Sequence, residues 1–238
     1  MNLKEQRKKE DSLVEKLKDP TETHSKEISN LINKTIRGKH KVLCATDWHL
    51  WTRIEKGKLK CKKRSDFEEV VKNANEALSE DDLLIYLGDL VDGEFQDSEE
   101  LKSILKTIPG HKILVLGNND LFSSSFYKSC GFDYVVKSFV WSNIIFTHIP
   151  IKNDNQYNIH GHIHNYKTYW IPYTNQIDVA FLNGRKIPVD LLEVIASQKR
   201  YSKLIKEQPE YFDEGYENMT PNMFINIMEG FVQDPYQN

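Results

Sequence analysis

Aspartates, histidines and one amide recur along this chain at spacings suited to holding metal ions. They come in five groups: Asp47-Trp48-His49, Gly88-Asp89 with Asp92 three positions on, Gly117-Asn118-Asn119-Asp120, His148 within Phe-Thr-His-Ile-Pro, and His160-Gly161-His162-Ile163-His164. Carboxylates, imidazoles and an amide oxygen form a mixed oxygen and nitrogen set without thiolates. Such a set suits Mn²⁺, Fe, Zn²⁺ or Mg²⁺ and disfavours a structural zinc site. The groups offer too many ligands for one ion, and one carboxylate bridging two ions would use them. An amide is a weak ligand alone, but inside a charged cluster it adds an oxygen without adding negative charge. The glycines before Asp89, Asn118 and His162 allow a sharp turn or a close approach to an ion.

Taken singly, the groups mean little. Asp-x-His is common by chance, Gly-Asp is a common turn, and Gly-Asn-Asn-Asp is an ordinary loop after a strand. Gly-His-x-His is stronger, because alternate residues of a strand share one side. Placement strengthens all five. Lys41–Asp47, Leu83–Asp89 and the run from Lys112 are short and apolar with polar ends, which predicts buried strands. Capping boxes at Ser65–Glu68 and Asp97–Glu100 predict helices between them, the first running to about Ser79 and the second ending before Pro109-Gly110. This β-α-β-α-β order predicts a parallel sheet with helices on it. Strand carboxyl ends line the crevice in such sheets, so the groups should converge. After residue 130 the segments FDYVV, NIIFTH, QYNIHGHIH, YKTYWI and IDVAFL predict a second, more antiparallel sheet, and VDLLEVIASQKRYSKLIKEQ predicts a helix. Periodic apolar residues before residue 38 predict two helices split near Pro20, with Gly38 stopping the second.

In their order and spacing, Asp47-x-His49, Gly88-Asp89-x-x-Asp92, Gly117-Asn118-x-Asp120, His148 and Gly161-His162-x-His164 resemble the five motifs of the calcineurin-like metallophosphoesterases. The likeness covers about residues 41–190, and IDVAFLNGRKIPVDLLEVI resembles the end of the small stand-alone bacterial and bacteriophage members. The resemblance implies an α/β fold, a four-layer α/β/β/α sandwich of two mixed sheets, with two divalent metals between the sheets. Mn²⁺ is the expected metal, with Fe, Zn²⁺, Mg²⁺ or Ni²⁺ as alternatives. It further implies that Asp47, His49 and His164 bind one metal, that Asn118, His148 and His162 bind the other, and that Asp89 bridges. Asp92 would orient a ligand from outside the metal sphere. The domain limits that follow are a charged helical extension over 1–38, the catalytic domain over 39–195 and a helical extension over 196–238.

One position departs from the family pattern. Gly-Asn-His-Asp is usual, and its histidine helps protonate the leaving group; here that position is Asn119. An amide can donate a hydrogen bond to a phosphoryl oxygen but supplies no proton at neutral pH. Two bound metals would lower the pKa of a shared water and so supply a nucleophile for attack on phosphorus, as the resemblance implies. Losing a general acid costs about 10²–10⁴-fold when the leaving group is basic, and less for phenolates or phosphates. The expected activity is therefore hydrolysis of phosphodiesters or activated esters. His160 is a candidate replacement acid, weighed against a buried structural role. Asp120 would hold Asn119 or be structural.

The stretch Arg53–Arg64 carries seven basic residues and one acidic, directly after the first motif. Arg53, Lys62, Lys63 and Arg64 are candidates for gripping a phosphate or polynucleotide, against the alternative of a solvated loop. Trp48 and Trp51 flank His49 and suit either base stacking or core packing. The 238 residues are 39% hydrophobic and 28% charged with formal net charge −3, so bulk charge does not mark a nucleic-acid binder. The first ten residues, MNLKEQRKKE, lack the apolar stretch of a signal peptide, and no apolar run approaches the roughly 20 residues of a membrane span. Cys44, Cys61 and Cys130 are odd in number and widely spaced, as free thiols in a reducing compartment are. A cytoplasmic enzyme acting on a phosphoester, including a nucleotide or nucleic acid, is expected, with no membrane partner and an open oligomeric state. Three alternatives stand: a nuclease or cyclic-nucleotide phosphodiesterase, a phosphomonoesterase such as a protein phosphatase, and a metal-binding scaffold without catalysis.

Overall fold

A computed structural model describes residues 24–50, 53–55, 58–60, 64–91, 98–151, 155–162, 176–179, 187–196, 199 and 203. The first predicted helix, Trp51, Cys61, Lys62, Lys63, Asp92, His164, YKTYWI and nearly all of 196–238 lie outside the described residues.

The three predicted buried strands form and pair in parallel. They are β1 (Val42–Ala45), β4 (Leu83–Tyr86) and β5 (His111–Val115), aligned Val42 with Leu83 and Leu83 with His111. Side-chain alternation splits their apolar residues between two cores. Leu43, Leu84 and Leu114 face α2 (Arg64–Ala77), α3 (Ser98–Leu105) and α4 (Ser124–Ser129), where they meet Ala74, Leu101 and Tyr127. Val42, Cys44, Leu83, Ile85 and Ile113 face the other way and pack with Phe139, Phe146 and Ile159 of a second sheet. Strands that are buried on both faces must be apolar throughout, which is why they read as continuous runs.

The second sheet departs from expectation. It holds β7 (Ser138–Trp141), β8 (Ile144–Thr147), β9 (Tyr157–His160) and β10 (Gln176–Asp178), in the order β10-β9-β8-β7. Only β7 and β8 are antiparallel; β8–β9 and β9–β10 are parallel. The FDYVV segment does not join it. Its strand β6 (Tyr134–Val136) extends the first sheet, parallel to β5. The short connection through α4 returns the chain to the edge beside β5. At the opposite edge β11 (Val189–Asp190) runs antiparallel to β1, and residues 191–196 are helical. Two mixed sheets packed face to face, with helices against them, make the expected α/β sandwich.

The helix that precedes residue 38 packs on this body. Helix α1 (Ser25–Arg37) buries Ile28 and Ile32 completely in the core between the sheets. It also covers the edge strand β7. The Ser25 hydroxyl accepts from Val140 N at 3.2 Å, Ser29 donates to Val140 O at 3.1 Å, and Asn33 accepts from Trp141 Nε1 at 3.1 Å. Unpaired edge groups invite pairing with another chain, and the two serines satisfy those of Val140 here, while Asn33 holds the Trp141 side chain. Gly38 ends the helix in ordinary right-handed backbone, and the left-handed residue is Lys39, at φ 62°.

The basic stretch contains a small ribbon: β2 (Arg53–Glu55) pairs antiparallel with β3 (Lys58–Lys60), placing Arg53 opposite Lys60 and Ile54 opposite Leu59. Arg64 opens α2. No helix among the described residues is long and apolar enough to cross a membrane.

Candidate metal centre

Parallel pairing continues past the strand ends and brings the first two motifs together. Asp47 N donates to Gly88 O at 3.0 Å, His49 N to Asp89 O at 2.9 Å, and Leu50 N to Leu90 O at 2.7 Å. Residues 46–50 and 88–91 thus run side by side. The path is not regular strand, because Asp47, His49 and Asp89 take φ values of 56°, 46° and 54°. His162 takes 75°, so four of the six non-glycine residues with left-handed backbone among the described residues belong to the motifs. Such backbone is costly for side chains with a Cβ, and it concentrates where function requires it.

Two clusters result, and Asp89 belongs to both. Asp47, His49 and Asp89 form one; Asp89, His148 and His162 form the other, with ligand atoms within 4.8 Å of one another in each. His49 Nε2 lies 3.5 Å from Asp47 Oδ1 and 3.8 Å from Asp89 Oδ2. His148 Nε2 lies 3.3 Å from Asp89 Oδ1, 3.1 Å from Asn118 Oδ1 and 3.2 Å from His162 Nδ1.

This second arrangement tests whether a cation fits. His148 Nδ1 lies 2.7 Å from Leu87 O, and a carbonyl only accepts, so Nδ1 carries the proton. In the neutral ring Nε2 then offers a lone pair. It faces a carboxylate oxygen and an amide oxygen, both acceptors, and an imidazole nitrogen. Acceptors gathered in this way lack donors, and one divalent ion satisfies them together. Without an ion, the same negative field holds a proton on His148 instead. Burial pulls His148 down, but its bond to Asp89 and the charges of Asp47 and Asp89 more than offset that, raising it to about 9. Burial pushes Asp89 up, yet the His148 bond and charge and the Asn119 N–H leave it lowered. The pocket is one of negative field, which a cation would occupy favourably.

Several predicted residues take other positions. Asn119 is aimed at Asp89: its backbone N–H donates to Oδ1 at 2.9 Å and its Nδ2 to Oδ2 at 2.7 Å. Asp120 does not hold Asn119. Its carboxylate accepts from Asp89 N at 2.9 Å, Gly117 N at 2.8 Å and Leu90 N at 3.0 Å, tying the ends of β4 and β5 together. His160 is buried, and burial lowers it to about 4, so its ring is neutral near pH 7. Its Nδ1 donates to Gly161 O at 2.8 Å. Strand β9 ends at His160 and His162 is left-handed, so His160 and His162 do not share a strand side. Trp48 is 4% exposed and packs edge-on against Tyr86 at 4.8 Å, which is core packing. Two of the three motif glycines lie against carboxylates: a Cβ on Gly117 would collide with Asp89, and one on Gly161 with Thr46 and with Asp47 Oδ2 at 2.6 Å; Gly88 makes a turn at φ 90° against the His148 ring.

Other supporting residues escaped the motif reading. The Thr46 hydroxyl donates to Asp47 Oδ2 at 2.7 Å, and His162 N donates to the same oxygen at 2.9 Å. Tyr86 OH accepts from Trp48 N at 2.7 Å between the first two ligand candidates. Asn158, 1% exposed, fixes the loop carrying His148. It donates to Ile145 O at 3.0 Å and Thr147 Oγ1 at 2.9 Å, and accepts from Ile151 N at 2.9 Å. The only sequence signal was a polar side chain inside an apolar strand. Asn158→Leu should strand these groups and cost about 1–3 kcal/mol, read as a lower midpoint in urea unfolding. An unchanged midpoint would refute that role.

A sandwich of two mixed sheets with an Asp/His site at the strand ends defines the class of metal-dependent phosphoesterases. The sequence profile of the family described as calcineurin-like phosphoesterase matches residues 40–221. The chain belongs to that family and is a metal-dependent hydrolase of phosphoester bonds. No curated protein matches the chain. Among solved structures, a protein of unknown function from Aquifex aeolicus, AQ665, is 20% identical with a TM-score of 0.49, over 66% of this chain and 98% of that one. The nuclease MPE from Pseudomonas putida is 20% identical with a TM-score of 0.42, over 53% of this chain and 62% of that one.

Proposed function

We propose that the chain hydrolyses phosphodiesters or esters with good leaving groups at a two-metal site. Asp47 and His49, with His164, serve one ion; Asn118, His148 and His162 serve the other; Asp89 serves both. The observation that carries this reading is the membership of Asp89 in both clusters. When bound, two divalent ions, Mn²⁺ foremost, would activate water and neutralise charge on the phosphoryl oxygens. The protein's part is to hold the ligand atoms. Thr46 and His162 N fix Asp47, Leu87 O fixes the tautomer of His148, and Asn119 fixes Asp89.

Substrate preference follows from position 119. An amide there supplies no proton, so alkoxide leaving groups pay the full cost of leaving unprotonated. Protein treated with EDTA should lose activity and regain it with Mn²⁺. The reloaded enzyme should then favour bis-(p-nitrophenyl) phosphate over glycerol phosphate by about 10²-fold or more. Preference for glycerol phosphate would refute the diester reading. Failure of every divalent metal to restore activity would refute the two-metal site.

A nuclease or cyclic-nucleotide phosphodiesterase is the favoured second reading. The ribbon β2–β3 follows closely on His49 and sets Arg53 opposite Lys60. The stretch is rich in lysine and arginine, and such charges attract a polyanion. Replacing Arg53, Lys62, Lys63 and Arg64 with glutamine should raise KM for single-stranded nucleic acid and flatten its salt dependence. Unchanged values would remove this reading.

A further inference from the structure

We propose that Asn119 is a positioning residue that allots one oxygen of Asp89 to each cluster. The inference rests on the two-metal reading and gives Asn119 a role other than contact with substrate. A carboxylate at the end of an aspartate turns over a broad range about its last torsion. In this protein both of its oxygens are held by one neighbour. The backbone N–H of Asn119 holds Oδ1 at 2.9 Å, and its side-chain Nδ2 holds Oδ2 at 2.7 Å. A carboxylate has about four lone-pair directions, two on each oxygen. Asn119 occupies one on each and leaves one on each. Oδ1 is then 3.3 Å from His148 Nε2, in the second cluster, and Oδ2 is 3.8 Å from His49 Nε2, in the first.

The backbone of Asp89 is fixed separately. Asp120 accepts its N–H at 2.9 Å and that of Gly117 at 2.8 Å. Asp120 therefore places the residue, and Asn119 sets the rotation of its carboxylate. Removing the side-chain amide would leave the N–H bond to Oδ1 intact and release Oδ2. The first cluster should lose more than the second.

Metal binding by the full chain tests this without reference to turnover. Mn²⁺ titration of EDTA-stripped wild type by calorimetry should find two ions. In Asn119→Ala and the similarly sized Asn119→Leu, at least one site should weaken about 10–100-fold. The electron paramagnetic resonance signal of a coupled Mn²⁺ pair should give way to that of a single ion. Asn119→His, which restores an N–H donor, should recover part of the affinity. Melting of the stripped proteins shows whether the variants fold, and the leucine variant preserves volume if alanine does not. Wild-type Mn²⁺ affinity in both the alanine and leucine variants would overturn the inference alone. A wild type that binds fewer than two Mn²⁺ would overturn the two-metal reading, and this inference with it.

Discussion

Asp89→Asn should lower kcat/KM on bis-(p-nitrophenyl) phosphate by about 10³-fold or more, equivalent to about 4 kcal/mol of transition-state stabilisation. No other residue among the described ones belongs to both clusters. The substitution keeps the size of the side chain but removes its charge. It also puts an amide group where both oxygens now accept from Asn119. One of the new atoms is a donor facing a donor, so the orientation of the group is lost together with its charge. Metal content should fall in parallel when measured after gel filtration. The fold should persist, because the backbone of Asp89 is held by Asp120 and the neighbouring Leu87 and Leu90 are fully buried. Activity within tenfold of wild type, with both metals retained, would refute the central role of Asp89.

Gly117→Ala attacks the same carboxylate from the other side, and stability should register it as well. The added Cβ would collide with Asp89 Oδ1 and with the Asp89 backbone nitrogen. Backbone cannot swing aside as the tip of a flexible side chain can. Overpacking of this kind costs about 1–3 kcal/mol. For a chain of this size that lowers the melting temperature by about 2–12 °C. A shift of the carboxylate by about 1 Å should also cost about 10²-fold in rate. The two variants thus separate two effects: Asp89→Asn loses activity at nearly constant stability, and Gly117→Ala loses both. A Gly117→Ala protein with wild-type melting and activity would show that the collision is relieved without cost.

The resemblance of the motifs named residues of which several lie close together in the fold, but it could not show which way each points. Asn119 stood in the place of a proton donor, and its amide turned out to bond to Asp89. His160 and His162 are two apart in sequence and were expected on one side, yet left-handed backbone at His162 separates them. Alternation is a property of regular strand, and β9 stops at His160. Thr46, Tyr86 and Asn158 were not legible as supports, because one hydroxyl or amide in an apolar strand carries no signal until its partner is known.

Parallel strands that are buried on both faces must be apolar throughout, and helices between them need caps. Those requirements are local, so β1, β4, β5, α2 and α3 could be read in advance from composition and spacing. Ligand chemistry is local too, since it resides in the residue types. Pairing is not local. FDYVV could join either sheet, and the chain between β5 and β6 carried it to the first. The edge of β7 could have been left open, and Ser25 and Ser29 closed it at Val140 from more than a hundred residues away. The sharing of Asp89 between two clusters is of the same kind: it depends on where five separated strand ends meet, and only the packed sheets bring them to one place.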